Sequence, residues 1–234
     1  AAVTIAQSTR LPGNALAGLA AAACLTLLLD PMQLFGTGFQ MSYSVVTALL
    51  VMGRPLADQA VAAWQPFALK PRGDWRWYHH KVAWLGRHIL GAVAAGWTAF
   101  LASTPSGIGY FGIFSPGSLL ANLLVVPLSM GVIYAGFVSL LAGLLGLAPL
   151  SAVANLLAAL TVEGMDLLLR FGTAIPAMWF PARFRADWLA PASLVLMTAV
   201  FLAGAGVQWS PRFGGFWPPA VVLALLVIFG VTFA

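Results

Sequence analysis

The fold of this chain is decided by a long uncharged stretch, residues 88–162, which reads HILGAVAAGWTAFLASTPSGIGYFGIFSPGSLLANLLVVPLSMGVIYAGFVSLLAGLLGLAPLSAVANLLAALTV. None of its 75 residues is Asp, Glu, Lys or Arg. A helix needs about 20 apolar residues to cross the hydrocarbon core of a bilayer, which is about 30 Å thick. The stretch therefore has the length and composition of about two or three membrane-spanning helices.

The rest of the chain has a similar composition. Of its 234 residues, 61% are apolar and only 7% are charged, whereas about a quarter of the residues of a soluble domain are charged. So few charges cannot coat a water-facing surface, and the apolar content is far too high for a disordered chain. We therefore predict an all-α integral membrane protein, a polytopic bundle of about six to seven transmembrane segments.

Hydropathy divides the chain into candidate spans, which cover residues 15–29, 39–52, 89–103, 128–147, 152–169, 188–205 and 219–234. Pro127 removes a backbone hydrogen bond and clashes with the preceding turn, so we expect a broken or re-entrant helix near residues 118–127, separate from the span that follows. We interpret residues 1–234 as a single transmembrane domain. Because the chain starts with Ala and ends in an apolar run, we expect it to be a segment of a longer protein.

The basic residues predict the orientation of the chain. Six Lys or Arg lie between Arg54 and Arg87, which places that segment in the cytoplasm by the positive-inside rule. The uncharged, glycine-rich stretch 105–117 is then an external turn. Counting spans onward places Arg170, Arg183 and Arg185 outside as well, against the rule. The conflict disappears if a later span is re-entrant, or if residues 179–188 form an interfacial helix.

Aromatic and basic side chains are densest just before the uncharged stretch, in the segment Trp75–Lys81. Trp and Tyr commonly sit at headgroup level while Lys and Arg meet anionic lipids, which favours an interfacial anchor. The same combination also suits single-stranded nucleic acid, because rings stack on bases and cations follow the backbone. The residues that would make this cytoplasmic contact with DNA or a partner are Arg72, Trp75, Arg76, Trp77 and Lys81.

Three ionisable residues, Glu163, Asp166 and Arg170, recur at helical spacing within one candidate span. The spacing makes a pair between Asp166 and Arg170 geometrically available. Such a cluster is either neutralised near a membrane surface or acts as a proton or cation relay.

Catalytic and metal-binding patterns are missing from the sequence. There is no H-E-x-x-H, G-x-S-x-G or P-loop, and Cys24 is the only cysteine. Residues 107–112 match G-x-G-x-x-G, but the preceding strand and the following acid of a dinucleotide site are lacking. Glycines there favour a tight turn. We expect no enzymatic activity, no metal and no cofactor in this segment.

Two stretches carry a resemblance to a known family. Residues 30–43 read DPMQLFGTGFQMSY and resemble the "DP, then GFQLSF" signature of the ComEC competence-protein family, and residues 115–128 read SPGSLLANLLVVPL and resemble its "SPLSLLANLLAVPL" stretch. The similarity extends over most of residues 10–145. This chain departs from the family pattern at Met41, Tyr43 and Gly117.

The resemblance implies an inner-membrane channel that transports single-stranded DNA into the cytoplasm during natural transformation. It also implies an external N-terminal domain, a nuclease-like C-terminal domain outside this segment, a cytoplasmic competence helicase that pulls the DNA, and an external DNA receptor. The family-motif or channel-lining positions are Asp30, Pro31, Gly38, Phe39, Gln40, Ser42, Tyr43, Asn122 and Pro127.

The polar residues of the second span suggest where such a path runs. A polyanion must be hidden from lipid, and we expect Gln40, Ser42, Ser44 and Thr47 to line the path together with the helix around Asn122. We expect Asp30 to cap the approach to this span. The alternatives are a secondary transporter of a small polar solute and a non-conducting membrane scaffold.

Overall fold

The computed structural model describes residues 15–64, 66–67 and 76–233. In chain order its elements are α1 (Ala15–Leu29), a 3₁₀ turn (Pro31–Phe35), α2 (Thr37–Ala48), a π-helical turn (Leu49–Gly53), α3 (Arg54–Ala63), α4 (Trp77–Phe111), β1 (Ile113–Phe114), α5 (Ser118–Leu144), α6 (Ala148–Ala174), β2 (Phe180–Phe184), α7 (Leu189–Gly206), a second 3₁₀ turn (Pro211–Phe213), α8 (Pro218–Gly230) and β3 (Val231–Phe233).

The helices have the length and composition of membrane spans. Among the described residues, five helical segments are long and apolar enough to cross a bilayer: Thr37–Ala63, Trp77–Phe111, Ser118–Leu144, Ala148–Ala174 and Leu189–Gly206. Two shorter apolar helices, α1 and α8, accompany them. The prediction of an all-α, multi-pass membrane protein is confirmed.

The described residues form two compact units. The first combines the residues up to Phe114 with those from Pro181 onward, and the second comprises Ser115–Phe180. Each unit is described by itself below. The interpretation of residues 1–234 as one domain concerns the whole chain and stays a prediction.

The core of the first unit forms where α2, the π-helical turn and α3 pack against α4, which in turn packs against α7. Met52, Leu101, Met197 and Phe201 are almost completely buried there. The helices approach closely at Gly53, where a Cβ atom would lie 3.5 Å from Thr98 Oγ1. Small and hydroxyl-bearing residues at such contacts are typical of helix packing in membranes.

Helix α4 runs eight residues beyond Ser103 and ends at Phe111, so the predicted external turn at 105–117 is wrong over its first half. Pro105 lies inside the helix and is buried. Thr104 Oγ1 donates to the carbonyl of Phe100 at 2.6 Å, whereas the carbonyl that Pro105 leaves without a helical donor is that of Leu101. Gly112, with φ of 66°, then ends the helix in the left-handed conformation.

A small three-stranded sheet in the order β1-β2-β3 follows this helix end. Strands β2 and β3 are antiparallel, and Ala182, Arg183 and Phe184 are paired with Phe233, Thr232 and Val231. The Ala182 N–H donates to the Gly112 carbonyl at 2.9 Å. Residues 180–184 are therefore a strand, and the interfacial helix considered for residues 179–188 is not formed there.

The second unit is an antiparallel helical hairpin of α5 and α6. Ser139 is buried in α5, and its Oγ lies 2.9 Å from Ser151 Oγ in α6. Small residues at four-residue spacing, Gly131, Ala135, Ser139 and Gly143, allow backbones to approach closely. Only the Ser139–Gly143 end of this stripe lies against α6 in the structure, because a Cβ at Gly131 would meet nothing within 4 Å whereas one at Gly143 would lie 3.7 Å from Ser151 Oγ.

Helix α5 passes through Pro127 without a break. The predicted short broken or re-entrant helix at 118–127 is therefore wrong, since one helix covers Ser118–Leu144. Apolar residues continue on both sides of Pro127, and Ser129 Oγ donates to the Val126 carbonyl at 2.8 Å. Membrane helices tolerate proline in their interior where neighbouring groups and local backbone adjustments satisfy the freed carbonyl, here that of Leu123.

Candidate functional site

The Asp30-Pro31 dipeptide forms the start of a rigid turn in the first unit. Asp30 has an extended backbone and its Oδ1 accepts from the Met32 N–H at 3.0 Å. Its Oδ2 accepts from Gln33 Nε2 at 3.0 Å. Pro31 occupies the first turn, where its missing N–H would have no helical partner anyway. Asp30 thus caps the approach to α2, as the sequence predicts.

Gln40 connects three elements of this unit. Its Nε2 donates to the Leu34 carbonyl at 2.8 Å, which fixes the 3₁₀ turn to the start of α2. Its Oε1 accepts a short hydrogen bond from the Tyr110 hydroxyl, which fixes α2 to the last turn of α4. The side-chain amide therefore joins residues 6 and 70 positions away.

The polar residues of α2 do not share one face. Successive residues of an α-helix are rotated by about 100°, so Gln40, Ser44 and Thr47 lie on one side and Ser42 on the opposite side. Ser42 is exposed, as Gly38 and Val46 are. Ser42 therefore lies about half a turn away from Gln40, Ser44 and Thr47, and the four residues do not form a single polar face.

Phe39 and Tyr43 pack against each other on α2, with ring centroids 4.3 Å apart. The Tyr43 hydroxyl lies 3.5 Å from Thr26 Oγ1 of α1. These two aromatic positions of the family motif therefore hold helices together within the first unit.

A polar groove lies at the end of α4, beside Tyr110. It has a volume of about 470 Å³ and is lined by Tyr110, Phe111, Arg183, Phe184 and Asp187, together with Gly109 and Gly112. Gly109 is required at its base, because a Cβ there would lie 2.9 Å from the Cβ of Ala190. Sequence reasoning missed this groove, because residues 107–111 belong to the end of α4 rather than to the predicted turn.

The two charged residues of the groove are exposed and unpaired. Neither Arg183 nor Asp187 makes an ion pair with any residue that the structure describes. The backbone of Arg183 is held in β2, where its carbonyl accepts from Thr232 Oγ1 at 3.2 Å. The guanidinium and the carboxylate remain available to a ligand.

Trp209 is a second residue that the sequence did not reveal. Its Nε1 donates to the carbonyl of Val51, in the π-helical turn, at 2.7 Å. Trp209 is buried, stacks on Phe216 at 5.0 Å and has a φ of 51°. A π-helical turn inside a long helix often marks a functional position, but nothing in local sequence predicts a contact 158 residues away.

The basic-aromatic segment begins α4. The Arg76 N–H donates to His79 Nδ1 at 3.0 Å, and Lys81 Nζ lies 5.0 Å from the centre of the Trp77 ring. Trp77 is largely exposed. Arg72 and Trp75 lie outside the described residues. The described part of the cluster presents a cation over an aromatic ring, which suits either a lipid headgroup or single-stranded nucleic acid.

Asn122 lies in the second unit. It lines a cavity of about 440 Å³ beside the loop that contains Met178 and Trp179. The Gly117 N–H donates to the Met178 carbonyl at 2.9 Å and holds this loop against the start of α5. Among the described residues the Asn122 amide has no hydrogen-bond partner, and the cavity around it is mainly apolar.

The ionisable cluster of α6 contains the expected pair. Arg170 Nε lies 2.7 Å from Asp166 Oδ2, and both side chains are exposed. Glu163 is exposed one turn earlier. The structure thus brings Asp166 and Arg170 together on their own helix.

The predicted residues fall into separate groups. Asp30, Pro31 and Gln40 belong to one connected network in the first unit, which ends at Tyr110 and the groove. Asn122 and Pro127 belong to the second unit, and Pro127 is exposed on α5.

Comparison with known proteins gives one match. The model of a family described as "Competence protein" matches residues 1–212. No curated protein and no solved structure matches the chain. Because the family model covers most of the 234 residues, this multi-pass membrane chain belongs to the competence protein family.

Proposed function

We propose that this chain forms part of a channel that transports single-stranded DNA across the bacterial inner membrane into the cytoplasm during natural transformation. The observation that carries the proposal is the family match over residues 1–212 in a chain with five helices long enough to cross a membrane. No step of this transport requires catalysis or a cofactor from this segment.

The orientation follows from the two ends of α4. The helix has 35 residues and is about 52 Å long at 1.5 Å per residue, so both ends emerge from a hydrocarbon core of about 30 Å. Lys81 and Arg87 lie near its start, and the uncharged Tyr110–Gly112 turn lies at its end. The positive-inside rule places the start in the cytoplasm and the groove outside.

The two sides would then meet different partners. The cytoplasmic end of α4, with Arg76, Trp77 and Lys81, is suited to lipid headgroups and to docking of a competence helicase that pulls the strand. The external end is suited to a receptor that delivers DNA. Charge reversal of Arg76 and Lys81 lowers uptake if the helicase docks there.

The proposal predicts that Gln40→Leu and Asn122→Leu each reduce DNA uptake by at least about tenfold. Removal of one hydrogen bond to a charged ligand, or of one polar contact, has an effect of about this size. Entry of labelled DNA is measured in transformable cells that produce the full-length protein. Membrane abundance of each variant is measured in the same cells, because a loss of protein would mimic a loss of transport.

Asn155→Leu is the matched control, since it makes the same substitution at an exposed position of α6 away from the Asn122 cavity. It is expected to leave uptake unchanged. Normal DNA uptake by both Gln40→Leu and Asn122→Leu would contradict the proposal that these two residues line the path of the DNA.

A secondary transporter of a small polar solute is the second candidate. The cavity at Asn122, about 440 Å³, lies in the size range of small-molecule sites, about 300–1,000 Å³. A transporter or a non-conducting scaffold would leave DNA entry equal in cells with and without the protein.

A further inference from the structure

We propose that the groove at the external end of α4 receives one nucleotide of the incoming single strand. The inference rests on the proposed transport of DNA and adds the place where the strand first contacts this chain. The groove, about 470 Å³, lies within the size range of sites that hold a small organic ligand.

The groove offers the two chemical groups that single-stranded DNA requires. Tyr110 is 44% exposed and Phe111 is 60% exposed, so both rings are accessible to a base that has lost its pairing partner. Aromatic rings stack on bases without regard to sequence, while cations contact the backbone. A duplex hides the faces of its bases, so the groove selects single strands.

Arg183 is the group that would hold the phosphate. Its planar guanidinium can donate two parallel hydrogen bonds to phosphate oxygens, and it makes no ion pair with a described residue. Asp187 lines the same groove and accepts hydrogen bonds from the amino groups of bases. Both charges therefore have a role toward one nucleotide.

The groove is held in shape before the ligand arrives. The Tyr110 hydroxyl donates to Gln40, whose amide is in turn fixed to the 3₁₀ turn. Arg183 is paired with Thr232 in the sheet. Gln40 is thus a positioning residue for the ring that stacks on the base.

The side of the membrane supports an anionic ligand. Arg183 lies at the opposite end of α4 from Lys81 and Arg87, on the side where the positive-inside rule disfavours cations. An arginine that makes no ion pair with a described residue is expected on this side where a polyanion binds. Arg183 is one of the three arginines, with Arg170 and Arg185, that conflict with the predicted orientation, and the ligand accounts for this one.

The test is photocrosslinking in the full-length protein, with benzoylphenylalanine in place of Phe111 and, as control, in place of Trp217, which is 73% exposed beyond the opposite end of α7. The probes are a labelled 12-nucleotide oligo(dC), whose bases carry an amino group, and a hairpin duplex. Crosslinks are expected from Phe111 to the single strand, and not from Trp217 or to the duplex.

Arg183→Gln is expected to lower the crosslinking yield and DNA uptake about tenfold, as loss of a charge-assisted hydrogen bond implies. Arg212→Gln, the same change at an exposed arginine in the turn after α7, is the control. Arg183→Lys keeps the charge and is expected to recover part of the yield.

The outcomes separate the two proposals. Normal DNA uptake with equal crosslinking at Phe111 and Trp217, or a yield that Arg183→Gln leaves unchanged, overturns the groove and leaves transport standing. DNA entry that does not depend on the protein overturns transport.

Discussion

At the scale of single residues, the packing of Trp209 against Gly204 stabilises the first unit. Trp209 lies against Gly204, where a Cβ would be 2.4 Å from the indole ring. Gln208 and Trp209 both have φ of 51°, a conformation that costs non-glycine residues free energy. The indole contacts and the hydrogen bond to Val51 therefore hold a backbone that would otherwise relax.

We predict that Gly204→Ala lowers the free energy of unfolding by about 1–3 kcal/mol, the usual cost of overpacking a buried contact. The new methyl group must displace the Trp209 ring from Gly204 and weaken its hydrogen bond to Val51. The shift is measured as the unfolding midpoint of the full-length protein in a titration with sodium dodecyl sulfate.

Gly206→Ala is the matched control, because it lies two residues further in the same helix and its Cβ would meet nothing within 4 Å. It is expected to be neutral or stabilising by less than about 1 kcal/mol, since alanine is the better helix former. Equal destabilisation by both substitutions would contradict the packing argument.

At the scale of elements, the α5–α6 hairpin is held by a close contact between two helices that expose most of their other side chains. Ser139 and Ser151 form a hydrogen bond across it. Such bonds are worth only about 0.6 kcal/mol on average in membrane proteins, so the small size of Ser139 matters more than its hydroxyl.

Ser139→Leu is therefore expected to destabilise the hairpin by about 1–3 kcal/mol, because the larger side chain forces the helices apart. Val138→Leu, the same residue introduced at a neighbouring exposed position, is expected to have little effect. The comparison uses the unfolding midpoint in detergent, and Ser139→Ala distinguishes size from hydrogen bonding. A loss as large for Ser139→Ala as for Ser139→Leu would show that the hydroxyl dominates.

At the scale of the whole molecule, the orientation in the membrane determines what each cluster can contact. Within the first unit, Phe111 ends α4 and Arg212 follows the far end of α7. Helix α7 begins beside the groove, where Ala190 packs on Gly109. If α7 crosses the bilayer, as its length and composition allow, Phe111 and Arg212 lie on opposite sides of it.

We predict that a membrane-impermeant maleimide labels Phe111→Cys from outside intact spheroplasts, and labels Arg212→Cys only after permeabilisation. Cys24 is exposed, so both variants are made with Cys24→Ser. The reverse labelling pattern would invert the orientation and place the groove in the cytoplasm.

Composition and hydropathy predict most of this fold, because the bilayer imposes strong demands on chain length and polarity. The membrane class, the positions of the spans and the Asp30 cap follow from residues close together in sequence. The family motifs identify Gln40 and Asn122 but not their contacts.

The predictions from sequence fail where contacts between distant segments, or the membrane environment, outweigh the local preference of a residue such as proline. Pro105 and Pro127 were expected to end helices, yet α4 and α5 continue through them, as membrane helices can where local backbone adjustments satisfy the freed carbonyl. The groove and Trp209 could not be predicted, because Tyr110 with Arg183, and Val51 with Trp209, come together only through packing of distant segments.

The π-helical turn at Leu49–Gly53 also determines how this segment tolerates changes in length. A π turn has more residues than an α turn, so deleting one residue there would restore an ordinary helix through Thr37–Ala63. Residues after the deletion would then keep nearly their present direction around the helix axis relative to Gln40, because the wider π turn is what accommodates the extra residue. The extra residue therefore leaves the two halves of the helix in register, and its removal would change the turn whose Val51 carbonyl accepts from Trp209.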